Sequence, residues 1–144
     1  MRSTICAAWQ ADSKKEGGST MKVICVHWDK FYLLHLQEDL PKIIPEAEIQ
    51  YCDPLDAVQL AESWGCDVLL TEIDMERMPR DVGLILAEKI KALHPRVNII
   101  FITVCGTYEY AERVLGLHAS GYLPYPYSLD ELTEEFRNLR YPVA

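Results

Sequence analysis

The chain has 144 residues, 49% of them hydrophobic and 25% charged, and a formal net charge of −8. That length suits one domain whose core needs neither disulfide nor metal. The acidic balance argues against a surface built to bind DNA or RNA, because such affinity comes largely from clustered Lys and Arg displacing counterions.

The cysteines, Cys6, Cys25, Cys52, Cys66 and Cys105, are odd in number, and no two have CxxC spacing. Most sit in apolar runs, as reduced core thiols of a cytoplasmic protein do, and only Cys6 lies in a polar context. No run reaches the length of a membrane span, and the apolar part of Met1 to Gln10 is too short and interrupted for a signal peptide. Ala11 to Thr20, ADSKKEGGST, has the composition of a disordered tail. Residues 1–20 are therefore expected to be a leader, and 21–144 a single folded domain.

From Lys22 onward, β-branched runs alternate with amphipathic stretches, the pattern of repeated βα units around a parallel sheet. The expected strands are Lys22 to His27, Ala47 to Cys52, Asp67 to Ile73, Val97 to Thr103 and Gly121 to Leu123. The first, third and fourth are almost continuously apolar, so they should be central strands covered on both faces. The expected helices are Lys30 to Leu40, Leu55 to Trp64, Val82 to Leu93, Tyr108 to Leu117 and Leu129 to Leu139. Asp53-Pro54 marks the start of the second, His94-Pro95 the end of the third, and Ser128 with Glu131 forms a capping box for the fifth. The expected fold is α/β, a doubly wound five-stranded parallel sheet of the flavodoxin-like (βα)5 type.

Such sheets gather their functional groups beyond the carboxyl ends of the strands. Those ends supply His27, Trp28 and Asp29 after the first strand, Glu72 and Asp74 after the third, Thr103 after the fourth, and Tyr125, Pro126 and Tyr127 after the fifth.

The phrases KVICVHWDK, DVLLTEIDM, VGLILAEKIKALHP and IIFITVCGTYEYAERVLGLHASGYLPYPYSLDEL, in this order and spacing, resemble the receiver domain of two-component response regulators from Met21 to Leu139. The last phrase is most similar to the LytR/AlgR group, whose receivers end in a DYLLKPF-type run. The resemblance implies a CheY-like module in which an acidic pair after the first strand and an aspartate ending the third hold magnesium, the third-strand aspartate accepting the phosphoryl group. In this chain the acidic pair falls on His27 and Trp28, the acceptor on Glu72, and the lysine before the proline on Tyr125. Thr103 and Tyr122 match the family's switch threonine and switch aromatic. The stretch from Glu72 to Gly83, containing DMERMPRDV, is longer than the family's turn and carries its proline late, at Pro79.

Phosphoryl transfer needs a hard cation on oxygen ligands, a placed carboxylate and positive charge on the developing oxyanion. Trp28 cannot ligate magnesium and His27 suits it poorly; Glu72 is a methylene too long, and Tyr125 brings a donor without charge. The expectation is a degenerate pseudo-receiver with no catalytic residue and no bound cofactor, Mg2+ included. His27, Trp28, Asp29, Glu72 and Asp74 would then be the remnant of an acidic pocket, with Trp28 plugging it. A transition-metal site built from His27, Asp29, Glu72 and Asp74 is the weaker reading, since strand alternation keeps them from converging. Glu72 as a standing phosphate mimic is weaker than Glu72 as a drifted acidic residue, because a carboxylate has one charge against nearly two for a phosphoryl group.

Tyr125-Pro126 occupies a place where the family has a cis bond, which shapes a turn. Tyr108, Tyr110, Tyr122 and Tyr127 make the last third rich in tyrosine, a residue enriched at interfaces. They are expected to serve a protein partner or homodimer through the fourth helix, fifth strand and fifth helix. The partner would be a histidine kinase, a transcription factor or a second copy, with no membrane contact. The alternatives are an irregular phosphoacceptor using Glu72 or Asp74, and a truncated LytR-type transcription regulator.

Overall fold

The computed structural model describes residues 20–103 and 110–143. Five strands form one parallel sheet: β1 Lys22–Val26, β2 Glu48–Cys52, β3 Val68–Thr71, β4 Asn98–Thr103 and β5 Gly121–Pro124, in the order β2-β1-β3-β4-β5. The helices are α1 Lys30–Ile43, α2 Ala57–Trp64, α3 Val82–Leu93, α4 Ala111–Gly116 and α5 Leu129–Arg137. This is the doubly wound, flavodoxin-like architecture that the alternating pattern predicts.

The helices divide between the two faces. Val23, Cys25, Leu70, Ile100 and Ile102 pack under α1 and α5, against Leu33, Leu36, Leu40 and Leu132. Ile24, Val26, Leu69, Ile99 and Phe101 pack on the other face, against Ala57 and Ala61 of α2 and Leu84, Ala87 and Ile90 of α3. All residues of β3 and β4 are buried, as expected for strands covered on both sides.

Element ends differ from expectation for local reasons. α1 runs past Pro41 to Ile43, and Ile44 N–H closes its last turn onto the Leu40 carbonyl at 2.8 Å. α2 begins at Ala57, not Leu55, because the Asp53 carboxylate accepts from Leu55 N–H at 2.9 Å and holds a turn there. β1 ends at Val26, although His27 N–H still reaches the Cys52 carbonyl at 3.1 Å. The capping box of α5 forms as expected, with Ser128 Oγ accepting from Glu131 N–H at 3.1 Å and Glu131 Oε1 from Ser128 N–H at 2.8 Å.

The segment after α5 returns to the amino end of the sheet. There the buried Asn98 side chain accepts from Tyr141 N–H at 2.7 Å and donates to the Tyr141 carbonyl at 2.8 Å.

Candidate functional site

Asp29 caps α1, its carboxylate accepting from Phe31 N–H at 2.9 Å, and so turns the chain back over the end of β1. This places Tyr32, in the first turn of α1, above His27. The two rings stack with centroids 4.0 Å apart and planes 19° apart. Tyr32 in turn meets Tyr125 at 5.5 Å, and Tyr125 meets Tyr127 edge-on at 5.9 Å. A row of rings therefore runs from the end of β1 to the turn after β5.

His27 is buried and engaged on both nitrogens. Asp29 N–H donates to Nδ1 at 2.9 Å, which requires a lone pair there and puts the ring proton on Nε2, 3.4 Å from Glu72 Oε2. His27 and Glu72 thus face each other beneath the stacked rings, both on the side of the sheet that carries α1 and α5. The Tyr32 hydroxyl is buried with no hydrogen-bond partner among the described residues. Burial, and secondarily the Glu72 charge, push its ionisation far above the ordinary phenol range.

Trp28 points to the opposite face and packs against the core under α2 and α3, with its indole N–H buried and unpartnered among the described residues. The Arg77 guanidinium lies 5.5 Å from its ring centroid, and Arg77 holds a left-handed backbone, φ 67°, in the long β3–α3 loop. Gly83 lets α3 approach the end of β3, since a Cβ there would sit 1.5 Å from the Glu72 carbonyl oxygen. Arg113 of α4 ties itself to α3 and its cap through Glu88 at 2.6 Å and Asp81 at 2.8 Å, and that bond holds the Asp81 carboxyl below its usual range.

Of the residues expected at the site, the structure brings His27 and Glu72 together. It commits Asp29 to the helix cap and leaves Asp74 half-buried in the loop after β3. Among the described residues no group of three His, Cys, Asp or Glu could hold a metal ion. Thr103 is buried at the end of β4, where its carbonyl accepts from Tyr125 N–H at 2.7 Å, and the Tyr125-Pro126 bond is cis. Tyr122 is 38% exposed beside Phe101.

The tyrosines expected to share a surface are dispersed. Tyr110 is buried in the core under α3, because it immediately precedes α4 and turns inward with Leu117. Tyr127 is half-buried on the α1 side, beside His35 and Asp39, away from Tyr122. Tyr108 lies outside the described residues. Tyr32 is the residue that sequence reasoning missed. Its signal was the i, i+4, i+8 series Tyr32, Leu36 and Leu40, which sets it on the inward stripe of α1.

A parallel sheet of order β2-β1-β3-β4-β5 covered by helices on both faces is a doubly wound α/β module, whose site lies beyond the carboxyl ends of the strands. The chain belongs to the response regulator receiver domain family, whose sequence profile matches residues 38–137. Receiver domains are signalling modules of two-component systems that interact with kinases and effectors.

The fold is similar to that of a CheY-like receiver domain protein from Methanospirillum hungatei, at TM-score 0.71 and 21% identity over 83% of this chain and 92% of that one. The signal receiver domain of an HD domain-containing protein from Pseudomonas fluorescens gives 0.71 and 21% over 83% and 93%. The chemotaxis protein CheY4 of Vibrio cholerae gives 0.70 and 17% over 83% and 98%. At these identities the likeness is one of fold. No curated protein matches the sequence significantly. Among the described residues no helix is long and apolar enough to cross a membrane.

Proposed function

We propose that this receiver domain takes no phosphoryl group and works in the cytoplasm as a protein-binding module, a pseudo-receiver of LytR/AlgR type formed by residues 21–144. The observation that carries the reading is His27 facing Glu72 at 3.4 Å while its ring stacks on Tyr32, which in turn meets Tyr125. Magnesium requires six oxygen ligands in near-octahedral geometry. Here the position of the acidic pair offers an imidazole engaged on both nitrogens and an indole turned to the other face. Asp29 is held in the helix cap, and Tyr32 is stacked on the imidazole that faces Glu72. This donor set does not fit the ion. The family profile also begins its match at residue 38, beyond His27 and Trp28.

Partner binding is assigned to α4, β5 and α5, where Leu115 is 75% exposed, Leu129 42% and Tyr122 38%. Leu115 and Tyr122 flank a cavity of about 310 Å3 that His118 and Arg140 also line. A kinase, a transcription factor or a second copy would bury this patch. The test is a Mg2+ titration of the 15N-labelled chain into the millimolar range. Unchanged amide resonances at His27, Glu72 and Asp74 are expected; saturable shifts confined to them would overturn the reading.

A further inference from the structure

We propose that the notch between α1 and the turn after β5 is a binding site for one arginine side chain of a partner protein, the guanidinium lying against Tyr125 and Tyr127 and pairing with Asp39. The notch is lined by His35, Asp39, Tyr125, Pro126 and Tyr127, and its volume is about 180 Å3. Clefts that hold small molecules run from about 300 Å3 upward, so this one is sized for the end of a side chain carried by a larger partner. His27, Trp28 and Glu72 do not line it, and neither do Leu115 and Tyr122. It is therefore separate from the His27–Glu72 pair and from the patch on α4 and β5.

The walls of the notch are held in place. His35 and Asp39 stand at i and i+4 on one face of α1. Tyr125 N–H donates to the Thr103 carbonyl at 2.7 Å, and the Tyr125 ring packs on Tyr32 with centroids 5.5 Å apart. Tyr127 meets Tyr125 with planes 74° apart, and the next residue, Ser128, is fixed in the capping box of α5. The two rings thus form a preset corner, which loses little side-chain freedom on binding. His35 adds a third ring, its Nδ1 3.5 Å from the Tyr125 hydroxyl.

The occupant follows from what the notch leaves unmatched. Asp39 is half-buried and makes no hydrogen bond or ion pair among the described residues. Its charge reaches the neighbouring ring: burial first, and Asp39 second, raise the Tyr127 phenol above the ordinary range. Elsewhere the chain supplies its own cations to partly exposed rings, with Lys22 over Trp64, Arg77 over Trp28, and Lys91 and Arg96 over Tyr141. No Lys or Arg among the described residues lies over Tyr125 or Tyr127. A carboxylate beside aromatic rings is the chemistry that takes a cation. A guanidinium is planar, so it lies along a ring while its N–H groups fork onto the carboxylate. An ammonium is a compact point charge that does not stack in this way, and a quaternary ammonium ion has no N–H to give Asp39.

The probe is N-acetyl-arginine amide, titrated into the 15N-labelled full chain beside N-acetyl-citrulline amide, which has nearly the same shape without the charge, and N-acetyl-lysine amide. The titration contains no magnesium, so its outcome is independent of the pseudo-receiver reading. The arginine compound should give saturable shifts centred on the amides of His35, Asp39, Tyr125 and Tyr127. The citrulline compound should give none, and the lysine compound should bind at least about threefold more weakly. Asp39→Asn, which keeps the shape, and Tyr127→Leu, which keeps apolar bulk, should each weaken the arginine compound at least about threefold, while Leu115→Ser leaves it unchanged. Asp39→Asn removes no bond of the free fold, so it decides the matter even where Tyr127→Leu disturbs the turn. The proposal is overturned by the absence of saturable shifts, by equal shifts with citrulline, or by lysine binding as tightly as arginine. Shifts spread over the other exposed carboxylates of the chain, or unchanged binding in Asp39→Asn, overturn it as well.

Discussion

Replacing Tyr32 by Phe removes a buried hydroxyl that has no hydrogen-bond partner among the described residues and leaves the ring on His27 in place. A hydroxyl buried unpaired costs about 1–3 kcal/mol against its hydrated state. Part of that returns as the loss of dispersion contacts, so Tyr32→Phe should stabilise the fold by about 1 kcal/mol. Unfolding entropy of about 2.1 cal/mol/K per residue over roughly 120 folded residues converts this to a rise in Tm of about 4 °C. Tyr32→Ala, which empties the space over His27, should cost about 3 kcal/mol.

The pH dependence sharpens the prediction. The Tyr32 phenol is raised in the fold by burial and then by Glu72. The stability it contributes is therefore complete below the unfolded phenol value, near 10, and is lost as pH rises above it. Phenylalanine has no such loss, so the advantage of Tyr32→Phe should widen above about pH 10. Urea unfolding followed by circular dichroism at pH 7 and pH 10.5 measures both effects. A lowered midpoint for Tyr32→Phe at unchanged slope would refute the reasoning, since it would mean that the hydroxyl is bonded in the fold.

Gly83→Ala should destabilise by about 3 kcal/mol in the same assay, because the new Cβ meets the rigid Glu72 carbonyl and α3 must shift. Asn98→Ala should cost about 2 kcal/mol and free the Tyr141 segment, visible as faster amide exchange at Tyr141. The Asp81 carboxyl is held low by the Arg113 hydrogen bond, so its contribution is present above the unfolded carboxylate value and lost as pH falls through the folded one. Arg113→Met should therefore flatten the acid limb of the stability curve. Burial raises the thiols of Cys25, Cys52 and Cys66, that of Cys52 to about 12. They should resist alkylation at pH 8 until the chain unfolds, and stability should decline as pH rises above the unfolded thiol value near 8.5.

The fold was legible because period-2 and period-3.6 patterns alternate cleanly from Lys22 onward. The unbroken apolar runs VLL and IIFI also mark strands that are buried on both faces. The turn signals at Asp53 and Ser128 were visible in type, but the bond from Leu55 N–H to Asp53 delays α2 by two residues. For the site, the receiver resemblance singles out His27, Trp28, Glu72 and Tyr125, and the structure brings two of them together, His27 Nε2 lying 3.4 Å from Glu72 Oε2. What fills the space was harder to read. Trp28 was expected to plug the acidic pocket, yet strand alternation sends it to the α2 face, and Tyr32 is delivered from the next helix by the cap at Asp29. Tyrosine density misled because composition carries no direction: Tyr110 turns into the core, while Tyr122 turns outward.

The most direct measurement is the intact mass of the chain after incubation with acetyl phosphate and magnesium, with the quadruple variant His27→Asp, Trp28→Asp, Glu72→Asp and Tyr125→Lys alongside. The native chain should keep its mass unchanged at every time point. A stoichiometric, magnesium-dependent phosphoryl adduct on the native chain, mapped to Glu72 or Asp74, would contradict the account.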